Sequence, residues 1–277
     1  MSDKHLIKLD EKLGHKENAG SKSGACLNRH KSGAPDGSKR SSCWYRWQAY
    51  DKMEGDASLY NWPKYEKLAA RKRTLNVEAP GMPPYAARRL DVPLPPPPHK
   101  GGRKVGNWDV GGYCERRRWG VAIQYKNFYE RSSVPYNHQA HHVIPDGVFN
   151  DTILEFFAKV SPLADQSVRQ GLLKNKYNLN EDINMIMLPM DKLVADTIGL
   201  PRHQQTWAEQ SHSAYCNRVK LRLKEIFAPL KDQMEQHQTR EYDVAKGQLE
   251  SLSDTLYGNI KKTSAASLPE MADSEFS

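Results

Sequence analysis

The sequence lacks any long apolar run, and this absence bounds the kinds of protein that it can encode. A transmembrane helix needs about 18 or more consecutive apolar residues. No such stretch occurs, so we expect no membrane partner. Residues 1–12 are charged and hold no apolar stretch. We therefore expect no cleaved signal peptide and a cytoplasmic location in the cell that makes the protein.

Cysteine is scarce as well. The four cysteines, Cys26, Cys43, Cys114 and Cys216, stand far apart and form no CxxC pair. This pattern favours free thiols in a reducing compartment over a disulfide framework. A zinc cluster built from Cys26, His30 and Cys43 is an alternative, although their spacing fits no regular zinc finger.

Charge is distributed unevenly along the chain. The net charge is +8, but residues 1–131 carry 26 basic and 14 acidic side chains, a net +12. Residues 132–277 carry 15 basic and 19 acidic side chains, a net −4. A basic half beside a mildly acidic half suggests an anionic partner such as nucleic acid. A basic solvated tail is the alternative that charge alone leaves open.

Composition divides the chain into three regions. Residues 1–104 form an irregular, basic N-terminal region with an aromatic-rich stretch at 43–65 and a proline-rich connector at 79–104. The aromatic stretch indicates packing or, alternatively, stacking on bases, and the successive prolines favour polyproline II. We expect the chemistry in a domain at 105–228, followed by a C-terminal helix and a disordered tail at 229–277.

Local patterns predict helices in the second half of the chain. A short helix is expected through 154–160, and apolar residues at helical spacing predict another over 211–227. Pro229 is expected to end that helix, because proline lacks a backbone N–H. A second long helix is then expected over 230–260. The tail after Thr263 is expected to be disordered.

A histidine-rich segment carries the first sign of chemistry. Three of the ten histidines, His138, His141 and His142, fall within five residues. Adjacent side chains point to opposite sides of an extended backbone, so His141 and His142 can do different jobs. One imidazole can bind a metal ion while its neighbour, with a pKa near about 6.5, takes a proton from water. Taken alone, the pair is equally compatible with a coincidence on a strand or loop.

Further short motifs follow this pair in a fixed order. They are Ala140-His141-His142, then Val143-Ile144-Pro145, then Asn184 before Leu188-Pro189, and finally His212 three residues before Tyr215. In this order they resemble the AHH family of the HNH/endonuclease VII superfamily, over about residues 137–225. The resemblance implies an α+β fold with a ββα-metal, HNH-like nuclease core, to which helices and the irregular N-terminal region are added.

The resemblance also implies roles for individual residues. His141 and His212 look like metal ligands, and His142 looks like the general base that activates water. Asn184 looks like the residue that orients the base and its loop. His203 lies nine residues before His212 and is a third ligand, a phosphate contact or a helix-surface residue. One divalent ion is implied, and imidazole ligands leave Mg²⁺, Zn²⁺, Mn²⁺ and Ni²⁺ open.

Basic side chains near these motifs are candidates for binding nucleic acid. Arg118 ends a run of three arginines before the site, and Arg218 and Lys220 follow His212 on the expected helix. Arg202 is a further candidate phosphate contact. The alternative for each is a solvated surface charge.

The resulting hypothesis is an HNH-type endonuclease that hydrolyses DNA, with RNA as an open second substrate. The family resemblance further implies an antibacterial toxin effector, delivered by a type VI or contact-dependent system into the cytoplasm of a target cell. An immunity protein and a secretion-apparatus or adaptor protein are then the expected partners. Two alternatives are a non-enzymatic nucleic-acid-binding or protein-binding module and a zinc-stabilised structural domain.

Overall fold

The computed structural model describes residues 24–29, 42–46, 48–49, 52, 138–189, 195–196, 198–203 and 212–276. The regular elements of these ranges are β1 (His138–His142), α1 (Asp146–Phe157), α2 (Ala164–Lys174), β2 (Met185–Pro189), α3 (Ser213–Glu235) and α4 (Tyr242–Lys262). Short 3-10 helices cover Asp182–Asn184, Leu268–Glu270 and Asp273–Phe276. Helices around a small antiparallel sheet make this an α+β fold.

The sheet consists of β1 and β2, which pair antiparallel. His141 lies opposite Ile186, and His142 lies opposite Met185. All five residues of β2 are buried, so this strand runs through the core. Because successive side chains of a strand point to opposite faces, His141 and His142 leave the sheet on different sides.

Helices α1 and α3 pack against one another beside the sheet. The ring of Phe227 lies 6.1 Å from that of Phe149 and 5.9 Å from that of Phe157, measured between centroids. Along α3, Tyr215, Val219, Leu223 and Phe227 are fully buried at intervals of four residues. This spacing is the apolar stripe that the sequence predicts for a helix in this region.

Two N-terminal segments belong to the same core. The backbone N–H of Cys26 donates to the Tyr177 carbonyl at 3.2 Å, and the Cys26 carbonyl accepts from Leu179 N–H at 2.8 Å. Leu27 and Tyr45 are each 1% exposed within this core. In these stretches, therefore, the region predicted as irregular at 1–104 is built into the fold, while the domain boundaries themselves stay a prediction.

The two long helices differ in their bounds from the sequence prediction. Pro229 lies inside α3 instead of ending it. Pro229 is exposed, so water can donate to the helix carbonyl that receives no hydrogen bond from the proline nitrogen. Leu230 and Met234 continue the buried apolar stripe of α3. The break comes later, at His237, whose φ of 56° is left-handed. Within the described ranges, no helix combines the length and the apolarity that a bilayer crossing requires.

The C-terminal tail is ordered, contrary to the prediction of disorder after Thr263. Its backbone pairs with Arg202, whose N–H donates to Ala266 at 2.9 Å and whose carbonyl accepts from Leu268 at 3.0 Å. Leu268, Met271 and Phe276 are buried. The tail has only three spaced, buried apolar side chains, which is too sparse a pattern for a sequence-based prediction.

Candidate metal centre

Three imidazole rings converge beside the sheet. The ring centroids of His141, His203 and His212 lie 4.8 to 4.9 Å apart in all three pairs. Each ring offers a nitrogen, and these atoms all lie within 4.8 Å of one another. Three nitrogen donors in a triangle form the ligand set of a metal ion that keeps further coordination positions open.

A different element holds each of the three rings. His141 stands on β1, and the backbone N–H of His203 donates to the Pro189 carbonyl, at the end of β2, at 3.0 Å. His212 is the N-cap residue of α3, and its Nδ1 lies 3.0 Å from the Cys216 Sγ one turn later. Nε2 is therefore the nitrogen of His212 that remains for a ligand. Burial raises the pKa of the Cys216 thiol to about 11, so the sulfur keeps its proton at pH 7.

Two ring nitrogens of the cluster are buried without a partner in the described part of the chain. They are Nε2 of His141 and Nδ1 of His203. The other nitrogens of these rings face each other, Nδ1 of His141 lying 3.1 Å from Nε2 of His203. Buried polar atoms that lack a partner destabilise a fold, and coordination to an ion would relieve that cost.

The electrostatics of the cluster favour neutral rings. Burial, followed by the neighbouring imidazoles of His212 and His203, places the pKa of His141 well below its ordinary value. Burial also lowers the pKa of His203 to about 3, and it lowers that of His212. Metal ions bind the neutral form of imidazole, so the three residues fit a divalent ion. Nitrogen donors suit Zn²⁺, Ni²⁺ or Mn²⁺ better than Mg²⁺.

The side chain of His142 lies on the opposite side of β1 from the histidine triad, and its ring contacts a residue outside the triad. Its Nε2 lies 2.9 Å from Oδ1 of Asn180. The Asn180 amide nitrogen donates to the Asn28 carbonyl at 2.8 Å, which fixes the orientation of the amide. Oδ1 therefore accepts a hydrogen bond from the protonated Nε2 of His142, and the lone pair of the neutral ring is on Nδ1.

The surroundings of His142 keep its ring neutral and largely enclosed. Burial lowers the pKa of His142 to about 4, although the Asn180 hydrogen bond acts in the opposite direction and Arg29 adds a smaller lowering effect. The Tyr45 ring lies 4.9 Å away, tilted by 32°. His142 is only 5% exposed, so little of its ring is open to water or phosphate.

Asn184 holds the turn that follows the His-His pair. Its Oδ1 accepts from the Ile144 N–H at 2.7 Å, and its amide nitrogen donates to the Leu179 carbonyl at 2.8 Å. Its backbone carbonyl accepts from Val143 N–H at 2.8 Å, and Tyr215 donates its hydroxyl to the Val143 carbonyl at 2.6 Å. The turn is thereby tied to both β2 and α3.

The predicted role of Asn184 thus falls on two residues. The Asn184 side chain is hydrogen-bonded to the backbone of the loop and to Ser253, and not to His142. The side chain that contacts the His142 ring is Asn180, which the sequence analysis did not single out. Four residues separate the two asparagines, and both are buried.

The predicted phosphate contacts on α3 are engaged with acidic side chains. Arg218 forms an ion pair with Asp273 and donates to the Met271 carbonyl at 2.6 Å. Lys220 lies 2.6 Å from the carboxylate of Glu155. Neither charge is aimed at the histidine cluster in this arrangement, so their role in binding nucleic acid stays a prediction.

Other candidates from the sequence lie elsewhere. Arg202 is 6% exposed and paired through its backbone with the C-terminal tail, so it is poorly placed for a phosphate. Arg118 lies outside the described residues. The backbone of His138 begins β1 opposite Pro189.

The alternative zinc cluster of Cys26, His30 and Cys43 is not among the groups able to hold a metal ion in the described ranges. Cys26 and Cys43 are buried and form no disulfide among the described residues, and the Cys26 thiol donates to the Asn28 carbonyl at 3.4 Å. His30 lies outside the described residues. Among the residues that the structure describes, the group able to hold a metal is the histidine triad.

The arrangement of the four imidazoles is typical of one class of enzyme. Three neutral imidazoles form a site for one ion, and a fourth imidazole stands beside them with a fixed tautomer, as in hydrolases that activate water. Residues 124–255 match the model of AHH, a nuclease family of the HNH/ENDO VII superfamily with a conserved AHH motif. Over this segment, a little under half of its length, the chain is similar to the AHH nuclease family. Searches of curated proteins and of solved structures gave no match.

Proposed function

We propose that this nuclease is a metal-dependent endonuclease that hydrolyses the phosphodiester bonds of DNA. The convergence of His141, His203 and His212, with His142 on the opposite side of the same strand, is the observation that carries the proposal. β1, β2 and α3 would supply the ββα-metal core of the superfamily, with α1 and α2 inserted between the two strands.

The histidine triad would hold one divalent ion. When bound, such an ion neutralises the charge that develops on the phosphate and on the leaving oxygen. His141 and His203 supply buried nitrogens that have no other partner in the described residues, and His212 supplies Nε2. The donor set leaves the identity of the ion open among Mg²⁺, Zn²⁺, Mn²⁺ and Ni²⁺.

His142 would act as the general base. It is neutral at pH 7. Its Nδ1 lone pair is available because the proton of the ring is on Nε2, which donates a hydrogen bond to Asn180. Water loses a proton to Nδ1 while its oxygen attacks phosphorus, and the bond from phosphorus to the leaving oxygen breaks. Asn180 then stabilises the charged ring, and Asn184 keeps the following turn in place.

Plasmid cleavage tests this proposal directly. Supercoiled DNA should be degraded by the full chain with at least one of Mg²⁺, Mn²⁺, Zn²⁺ or Ni²⁺, and His142→Ala should abolish the cleavage. His237→Asn is the matched control, since His237 is exposed and asparagine tolerates its left-handed backbone. Intact DNA with every metal would refute the proposal. Salt-dependent DNA binding without cleavage would favour a binding module instead.

In its biological setting, we propose that the nuclease is an antibacterial toxin. Two points support this role: members of the family commonly serve as bacterial toxins, and the basic first half suits a nucleic-acid target. Residues 1–104 would contact a secretion apparatus or adaptor of a type VI or contact-dependent system, and an immunity protein with an acidic face would neutralise the toxin. Expression inside bacteria should arrest growth, whereas the His142→Ala variant should not. Normal growth with the active chain would refute the toxin role alone.

A further inference from the structure

The N-terminal segment brings two arginines to one oxygen atom beside His142. The Arg29 Nη2 donates to the Tyr45 hydroxyl at 3.2 Å, and the Arg46 Nε donates to the same oxygen at 3.0 Å. Both guanidinium groups also lie against the Tyr45 ring, at 5.0 and 5.8 Å from its centroid. Two positive charges are therefore held together around one phenol.

This cluster is rich in donors and poor in acceptors. The phenol oxygen of Tyr45 already accepts two hydrogen bonds, and among the described residues its own proton has no acceptor. The Nε of Arg29 is buried and lacks a partner there too. No carboxylate of the described ranges pairs with Arg29. The Tyr45 proton and the Arg29 Nε are thus donors without an acceptor in the described part of the chain, and beside a guanidinium charge they indicate a site for an anion.

The position of the cluster connects it to the nuclease site. The Tyr45 ring lies 4.9 Å from that of His142. An anion held by the cluster would thus lie next to the enclosed ring that we assign as the base.

We propose that Arg29, Tyr45 and Arg46 form a clamp for a phosphate group of the substrate backbone. The planar guanidinium fork suits the oxygens of a phosphate, and the buried phenol adds a hydroxyl donor. The assignment rests on the proposed function, because it takes the ligand to be a phosphodiester. The clamp lies outside residues 124–255, so the segment that matches the family would contain the triad and the base but only part of the substrate-binding surface.

Binding of a labelled duplex tests the clamp without any cleavage. The full chain is treated with EDTA, and the anisotropy of a fluorescein-labelled DNA duplex is followed at several salt concentrations. Arg29→Ala and Arg46→Ala should each weaken binding about tenfold and reduce the slope of log K against log salt by about one. Arg222→Ala is the control, because Arg222 is a surface arginine paired with Glu225. It should leave both quantities unchanged.

Two further measurements separate the clamp from folding and from total charge. Zn²⁺ affinity, measured by isothermal titration, should be unchanged in both clamp variants, since the triad is intact. Arg29→Lys keeps the charge but loses the fork, and it should still bind more weakly than the parent chain. Unchanged affinity and slope in Arg29→Ala and Arg46→Ala would overturn the proposal, and so would an equal loss in Arg222→Ala.

The outcomes also distinguish the clamp from the proposed function. If the parent chain cleaves DNA and the clamp variants bind and cleave as it does, the clamp is wrong and the endonuclease stands. If the parent chain cleaves nothing but binds the duplex through Arg29 and Arg46, the clamp stands and the endonuclease is wrong. An RNA duplex of the same sequence, run in parallel, shows which phosphodiester backbone the clamp prefers.

Discussion

Acidifying the metal-free protein from pH 7.5 to pH 5 is expected to weaken its fold, because the site holds imidazoles that resist protonation. Burial lowers the pKa of His203 to about 3 and that of His142 to about 4. A histidine in the unfolded chain titrates near about 6.5. Between these values the unfolded chain binds protons that the folded chain does not, so the free energy of unfolding falls as the pH falls.

The size of the effect follows from the differences in pKa. At pH 5 an unfolded histidine is almost fully protonated, whereas the rings of His142 and His203 in the folded chain are almost fully neutral. Each ring then reduces the free energy of unfolding by about 2 kcal/mol relative to pH 7.5. The pair therefore contributes about 4 kcal/mol, a large share of the stability of a typical domain. His141, with its pKa also lowered, acts in the same direction.

Urea unfolding of the chelated protein at both pH values measures this difference. His203→Gln removes one titrating ring, so its loss of stability between the two pH values should be smaller by about 2 kcal/mol. The exposed His237→Asn should retain the full loss. Equal stability of the parent chain at pH 7.5 and pH 5, or a full loss in His203→Gln, would refute the reasoning from burial.

Three further perturbations test other parts of the site. Zn²⁺ should raise the melting temperature of the parent chain in calorimetry, because an ion that binds only the folded state stabilises that state. It should not raise the melting temperature of His212→Ala, and an equal rise in both proteins would exclude His212 as a ligand. Asn184→Ala should lower the free energy of unfolding by about 3 kcal/mol in urea titration, since it leaves buried backbone groups of the turn unpaired, and a loss below about 1 kcal/mol would contradict this. Deleting residues 264–277 should cost about 5 kcal/mol, because it removes three buried apolar side chains, among them Phe276, whose ring packs against Tyr215. An unchanged melting temperature would contradict the packing of the tail.

The metal-site candidates were predictable because local sequence determines them. An extended Ala-His-His segment places adjacent imidazoles on opposite faces whatever surrounds it. The start of a helix at Ser213 follows from the apolar stripe that runs from Tyr215 to Phe227, and His212 then falls at its N-cap. The convergence of both segments with His203 came from the resemblance to the family and not from any local pattern.

The partner of His142 was not predictable from the same reasoning. Asn180 is oriented by the Asn28 carbonyl, a contact that spans 152 positions of the chain. A polar, glycine-rich N-terminal region suggests a solvated segment, and only the packing of Leu27 and Tyr45 into the core shows otherwise. Isolated residues that pack across such distances leave no periodic pattern in the sequence.

Adjacent side chains of β1 point to opposite faces of the strand. The site therefore has two halves with different chemical requirements. On the face of His141, three rings must stay unprotonated and close together, which burial achieves by making charge costly. On the face of His142, the proposed role as a base requires the ring to gain a proton, which the same burial opposes. The hydrogen bond that His142 donates to Asn180 and an anion held by Arg29 would both favour the protonated ring, since each offsets the cost of a buried positive charge. The phosphate of the substrate would therefore raise the basicity of the residue proposed to activate the attacking water, and that base would be strongest when the substrate is in place.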